Sequence, residues 1–323
     1  MNVYFITDKT YRVFSSLKKY LFILIALFFF NESYCQHTRG GNYYETIQVN
    51  NEERTYLLHL PFGYSFLKGT ALPLVVFLHG NGGTGRASAF ESKFNRISDR
   101  EKLMIVYPDG YERSWNDARN KTKSSIEGID DILFLTKLIS QLKETYPVDT
   151  DRIYIGGVSN GGFMAQTMVC RSEIRFAAFF SVIATLPEKL NDPMIDYPCN
   201  ALYILGTEDP FVPYEGGVVA GKTGGRVLSA EESIGFWLEK NTCLDSREMT
   251  PFIDNKDDGV QVQKIIYSDC HDALEVVLIK MTNAGHQYPQ GIRIPMAGNM
   301  CKDINASEEI MKFLKGKSIS EEN

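Results

Sequence analysis

Apolar residues fall along this chain in two rhythms. Pro73 to Leu78 and Leu103 to Tyr107 are short continuous runs that stop at His79-Gly80 and Pro108-Asp109-Gly110. Runs of that length closed by turn formers are the mark of strands buried on both faces. Arg54 to Leu60 alternates instead, as a half-buried strand does. Ile129, Ile132, Leu133, Leu135, Leu138, Ile139 and Leu142 recur at helical spacing, with Asp130 and Asp131 near the start and Pro147 past the end. That pattern predicts an amphipathic crossover helix over 129–146. The alternation continues with strands over 152–156, 176–183, 202–205 and 274–280 and helices over 161–171, 230–240 and 306–314. Such interleaving predicts an open, mostly parallel α/β sheet with helices on both faces, whose ligands lie beyond the carboxyl ends of the strands. Residues 210–229, rich in Gly and Pro, form the longest irregular segment. A loop of that length in a compact domain is commonly functional.

The first 35 residues depart from this pattern. Lys18 and Lys19 precede the apolar run Leu21 to Phe30, and Asn-Glu-Ser-Tyr-Cys-Gln follows. That order reads as a secretory signal peptide over 1–35, cleaved near Cys35-Gln36, with an uncleaved anchor as the competing reading. The expected layout is then a linker over 36–51, a catalytic domain over 52–316 and a polar tail over 317–323. The mature protein is expected to be secreted, periplasmic or extracellular, without stable membrane association. Cys170, Cys199, Cys243, Cys270 and Cys301 remain, an odd number whose pairing the sequence leaves open. No Cys/His cluster has zinc spacing, so no metal site is expected. The 323 residues carry a formal net charge of −6 with no concentrated basic face, which speaks against nucleic acid as a partner.

Candidate chemistry begins at the strand-to-helix junction after Ile155. Gly157-Val158-Ser159-Asn160-Gly161 fits G-x-S-x-G, with a strand before it and a helix after it. The competing reading is a glycine-rich turn whose serine caps the helix. A nucleophilic serine needs a histidine base and a carboxylate to orient that base. Of the five histidines, His286 follows the last strand on the cleft side and is the candidate base, ahead of His271. Asp209, in the loop after Leu202 to Leu205, is the candidate acid, with Glu208 still open beside it. The oxyanion donors expected are the backbone N–H of Asn160 and, in the His79-Gly80-Asn81-Gly82 loop, that of Asn81 or else Gly82. His79 is expected to brace this loop by hydrogen bonding. Gly216 to Thr223 matches the phosphate-loop pattern, but Pro213 before it and Gly224-Gly225 after it deny it the required strand and helix.

The motifs Tyr56-Leu-Leu-His-Leu-Pro, Leu78-His-Gly-Asn-Gly, Tyr107-Pro-Asp-Gly, Ser114-Trp-Asn, Asp130-Asp-Ile-Leu-Phe-Leu, Gly157-Val-Ser-Asn-Gly-Gly, Gly206-Thr-Glu-Asp, Val212-Pro-Tyr-Glu-Gly-Gly and Gly285-His-Gln-Tyr-Pro run through most of the chain. Together they resemble the polyhydroxybutyrate depolymerase and feruloyl esterase-like branch of the α/β-hydrolases, grouped with carbohydrate esterase family one. The resemblance implies an α/β-hydrolase fold and a secreted serine esterase that needs no cofactor. The substrates it implies are feruloyl or acetyl esters of plant polysaccharide, or hydroxyalkanoate oligomers. Ser159, Asp209 and His286 fall on the family's triad positions, and Cys243 and Cys270 where it often has a disulfide. Tyr288 stands where members commonly carry tryptophan. Tyr288 and Trp115 are the candidate substrate-binding residues, although Trp115 is equally read as packing its own loop. A peptidase of the same fold and a non-catalytic binding protein are the rival functions.

Overall fold

The computed structural model describes residues 36–319 except 68, 193–196, 222–223 and 245. The expected signal peptide, the end of the polar tail and Lys222-Thr223 of the phosphate-loop look-alike lie outside the described residues. Contacts divide the chain into Met1–His37 and Thr38–Asn323, and every described strand and helix lies in the second unit.

Among the described residues, ten strands form one sheet. They are β1 (Gly41–Val49), β2 (Glu52–Leu60), β3 (Leu72–Leu78), β4 (Met104–Pro108), β5 (Val148–Val158), β6 (Ala178–Val182), β7 (Asn200–Gly206), β10 (Glu248–Met249), β11 (Gln261–Tyr267) and β12 (Val276–Thr282). Across the sheet their order is β1-β2-β4-β3-β5-β6-β7-β12-β11-β10. The block from β4 to β12 is parallel, and antiparallel strands flank it on each side. A two-stranded piece, β8 (Gly217–Val218) with β9 (Arg226–Val227), lies within the 210–229 segment. The helices are α1 (Gly85–Ser92), α2 (Phe94–Glu101), α3 (Lys123–Ile126), α4 (Asp131–Thr145), α5 (Asn160–Arg171), α6 (Ala230–Lys240) and α7 (Ala306–Leu314).

Successive residues of β3 feed two separate cores. Leu72, Leu74, Val76 and Leu78 pack with residues of α4, α5 and α6. Val75 and Phe77 pack with residues of α2 and α7. Both sheet faces are therefore covered, which is why the central strands tolerate uninterrupted apolar sequence. Asp130 caps α4 by accepting the Leu133 N–H at 2.8 Å. Its neighbour Asp131 is buried, pairs with Arg54 at 2.8 Å, and accepts the Asn116 N–H and the Ser124 hydroxyl. One carboxylate thus ties β2 to the 114–124 loop.

The expected linker over 36–51 is corrected: it contains β1, which pairs with β2 from Gly41 opposite Leu60 to Val49 opposite Glu52. Asn50 and Asn51 take φ of 50° and 67°, the left-handed conformation that closes a two-residue hairpin. Strand β1 escapes detection because most of its alternate side chains stay in solvent. Cys243 and Cys270 form a disulfide across 27 residues, joining the end of α6 to the turn before β12. Chain-entropy reasoning assigns a loop of that size about 3.5 kcal/mol. Cys170, Cys199 and Cys301 are buried thiols.

Candidate active site

Ser159 sits between β5 and α5 at φ 52° and ψ −116°, a conformation costly to any residue with a side chain. The surrounding glycines let this elbow press against the end of β3. A Cβ on Gly157 would lie 2.4 Å from the Leu78 carbonyl oxygen, and one on Gly161 only 2.2 Å from it. The Ser159 hydroxyl makes no capping bond to α5, so the helix-cap reading of this serine fails. It meets His286 Nε2 at 2.9 Å instead.

His286 follows β12 and Asp209 follows β7, and these strands are adjacent and parallel. Asp209 Oδ2 lies 2.6 Å from His286 Nδ1. Asp209 Oδ1 accepts the N–H of Phe211 and of Val212, each at 2.8 Å, which fixes the carboxylate plane. Because Oδ2 accepts, Nδ1 carries the hydrogen and Nε2 is left as the acceptor facing the hydroxyl. The Phe211 ring stands edge-on to the imidazole at 5.3 Å. Glu208 is exposed and His271 lies in an exposed turn paired with Asp272, so neither reaches this site.

The N–H of Asn160, first of its helix, has no intrahelical acceptor. Gly82 is removed as a donor because its N–H is bonded to the Arg113 carbonyl at 2.7 Å. Asn81, exposed at the lip of the same cleft, remains. His79 holds this loop: its fully buried ring meets the Gly80 carbonyl through Nδ1 at 2.8 Å and receives the Gly110 N–H on Nε2 at 2.9 Å. Asp109 meanwhile accepts the Gly85 N–H and the Thr55 hydroxyl. The Tyr107-Pro-Asp-Gly motif is thus the strut under the loop.

Burial lowers the pKa of His79 from its ordinary 6.5, and lowers that of His59 against the opposing Asp99 carboxylate. The fold thus disfavours the protonated form of both rings relative to the unfolded chain, so below 6.5 the unfolded chain binds more protons. Stability is therefore lost as pH falls through that value. The urea midpoint is expected to drop between about pH 7 and about pH 5, and His79→Gln to make the drop shallower. An unchanged slope in the variant would assign the acid sensitivity elsewhere.

A cleft of about 550 Å³ opens at the serine, walled by Val158, Ile183, Val212, Val219, Tyr288 and Ile294. The 210–229 segment supplies part of that wall, with Val212, Val219 and Val227 packed on Phe163. Trp115 is corrected: it is fully buried away from the cleft, its Nε1 bonded to the His79 carbonyl at 2.9 Å and its ring stacked on Phe134. The reason is the indole N–H, which finds its acceptor under the loop. Tyr288 does line the cleft, but its hydroxyl turns inward. Ser307 gives its own hydrogen to the Ser92 carbonyl, so the Tyr288 hydroxyl donates to Ser307 at 2.7 Å.

Two cleft groups, Glu91 and Arg119, and the buried Asp117 behind them carry no signal in the sequence. Glu91 lines the wall and accepts the Ile292 N–H, with its carboxyl pushed up by burial. Asp117, fully buried, receives the Asn160 side-chain amide and the Arg119 guanidinium. Burial raises its carboxyl, while Arg119 opposes this, and the donors converging on it hold it as the carboxylate. Arg119 itself faces the cleft. Asp117 and Arg119 pair across two residues, but what ties them to the cleft, Asn160 and the Gly224 carbonyl, lies far along the chain, as does the Ile292 N–H that Glu91 accepts.

Comparison with known proteins gives consistent results. A model of the phospholipase/carboxylesterase family matches residues 68–232, half of the chain. NocK of Nocardia uniformis subsp. tsuyamanensis, described as an esterase, is 24% identical over 281 residues, covering 84% of this chain and 81% of that protein. Feruloyl esterase B of Piromyces equi is 25% identical over 245 residues, 74% of this chain but 43% of the larger protein. Acetyl xylan esterase from Aspergillus awamori superposes with a TM-score of 0.54 at 13% identity, over 85% of this chain and 99% of that one, a likeness of fold.

Proposed function

Because this chain belongs to the phospholipase/carboxylesterase family of α/β-hydrolases, we propose that it hydrolyses carboxylic esters with Ser159 as nucleophile, His286 as base and Asp209 as the group that orients it. The observation that carries this reading is the imidazole bridging a carboxylate at 2.6 Å and an elbow hydroxyl at 2.9 Å. His286 Nε2 takes the hydroxyl proton as Oγ attacks the ester carbon. The carbonyl oxygen gains the charge and is met by the N–H of Asn160 and of Asn81. Nε2 then hands its proton to the departing alcohol oxygen, leaving an acyl-serine. Water repeats the sequence on that acyl group, releasing the acid and restoring Oγ–H. Side chains, backbone donors and water supply every step.

Feruloyl or acetyl esters of plant polysaccharide and hydroxyalkanoate oligomers are the proposed substrates. The names of the relatives and the largely apolar cleft walls support them. The catalytic unit proposed starts at β1 and ends near residue 316. Export is proposed from the signal-like leader together with the Cys243–Cys270 disulfide, a bond that persists in oxidising compartments. The serine's freedom from any capping duty disfavours the non-catalytic rival. Incubation with a fluorophosphonate followed by peptide mass mapping is expected to place the adduct on Ser159. An adduct on another residue, or none, would overturn the mechanism.

A further inference from the structure

We propose that Arg119 is a specificity-determining residue whose guanidinium docks an uncharged acceptor oxygen of the substrate, such as a second ester carbonyl, while the scissile ester sits at Ser159. The assignment rests on the esterase reading and adds to it a class of substrate: esters that carry a further carbonyl near the one cleaved. Arg119 lines the same cleft as Ser159 and Asn160, yet its side chain is only 1% exposed. A guanidinium has five N–H donors and no acceptor. Nε and Nη2 each give one hydrogen to Asp117 Oδ2, and Nη1 gives one to the Gly224 carbonyl at 3.1 Å. Two N–H bonds are left with no acceptor among the described residues. A buried charged donor facing a cleft is a strong site for an incoming oxygen, because leaving it unmatched is costly.

The surroundings fix where that donor points. The guanidinium carbon lies over the Phe163 ring, 4.0 Å from its centroid. Ala118 and Asn120, on either side of it, both take left-handed backbone, at φ 65° and 60°. Asparagine adopts that state readily, but an alanine such as Ala118 keeps it only where the surrounding structure imposes it. The charge of the partner selects the ligand. Asp117 already neutralises Arg119, so a carboxylate arriving here would be a buried charge without a counterpart. A carbonyl accepts both hydrogens at no such cost. The apolar wall of Ile183, Val212 and Val219 suits the carbon chain between two carbonyls.

The test compares kcat/KM for the methyl ester of 3-hydroxybutyrate trimer with that for p-nitrophenyl hexanoate, per site titratable by a fluorophosphonate. The trimer ester has carbonyls on both sides of its central bond, and the hexanoate has only the scissile one. Arg119→Lys keeps a cation for Asp117 but not the fork, and Asp117→Asn with Arg119→Met removes both charges together. In each, the trimer-to-hexanoate ratio is expected to fall about ten- to hundredfold. Equal losses on both substrates would mean that Arg119 only props the loop, and unchanged ratios would mean that it does not touch substrate. Either result overturns the assignment, as does a preference of the unmodified protein for p-nitrophenyl hydrogen adipate over the hexanoate. Hexanoate left uncleaved and Ser159 left unlabelled in the unmodified protein would strike the esterase reading itself, and this assignment with it.

Discussion

Ser159→Ala is expected to lower kcat on p-nitrophenyl acetate by about 10⁵- to 10⁶-fold once spontaneous hydrolysis is subtracted, with KM and the unfolding midpoint little changed. The size of the loss follows from what the hydroxyl touches. Its hydrogen bond goes to His286 Nε2, and α5 receives no capping bond from it. Its removal therefore deletes the attacking atom without uncapping a helix or opening a core. His286 stays anchored to Asp209, and the backbone donors stay in place, so a residual rate of about 10³–10⁴ over water is expected to survive. Turnover within tenfold of the parent would mean that the acyl group is carried by another residue.

Asp209→Asn comes next in size, with kcat expected to fall by about 10⁴ while circular dichroism and the unfolding midpoint stay close to the parent. An asparagine keeps one oxygen for the N–H of Phe211 and Val212, where Oδ1 now accepts at 2.8 Å from each. Its amide then faces His286 Nδ1 in place of Oδ2. A donor there makes Nδ1 the acceptor and places the hydrogen on Nε2, aimed at the serine. The ring is then present but in the wrong tautomer to take the proton. Glu208→Gln serves as the control, because that side chain is exposed and its loss is expected to change kcat less than about threefold. A large effect at Glu208 with little at Asp209 would move the carboxylate role.

What could be read from sequence tracks what is decided locally. The Ser159 elbow is specified within a dozen residues, by a strand, a helix and the glycines between them, so its shape was legible. Helices 230–240 and 306–314 were also legible, since each carries its own apolar face and start signal, such as the Ser229–Glu232 capping box. Strand β1 was not, because its side chains divide between solvent and sheet and an Asn-Asn turn is a weaker signal than Asn-Gly. Strand β11 likewise mixes Gln263 and Lys264 with its valines and isoleucines. Asp209 and Glu208 could not be separated, because neighbouring residues point apart and only the fold says which faces the ring. Trp115 was ambiguous because the acceptor for its N–H, the His79 carbonyl, lies 36 residues upstream. The Asp117–Arg119 pair is local, but it meets Gly224 and Asn160 through loops that no spacing rule connects.

The backbone at residue 159 sets the fold and the chemistry against each other. At φ 52° and ψ −116° the geometry is natural to glycine and foreign to serine, so selection for rigidity alone would replace it. In a lineage released from turnover, this position is where the chain would erode first, and the protein left behind would be a sturdier one.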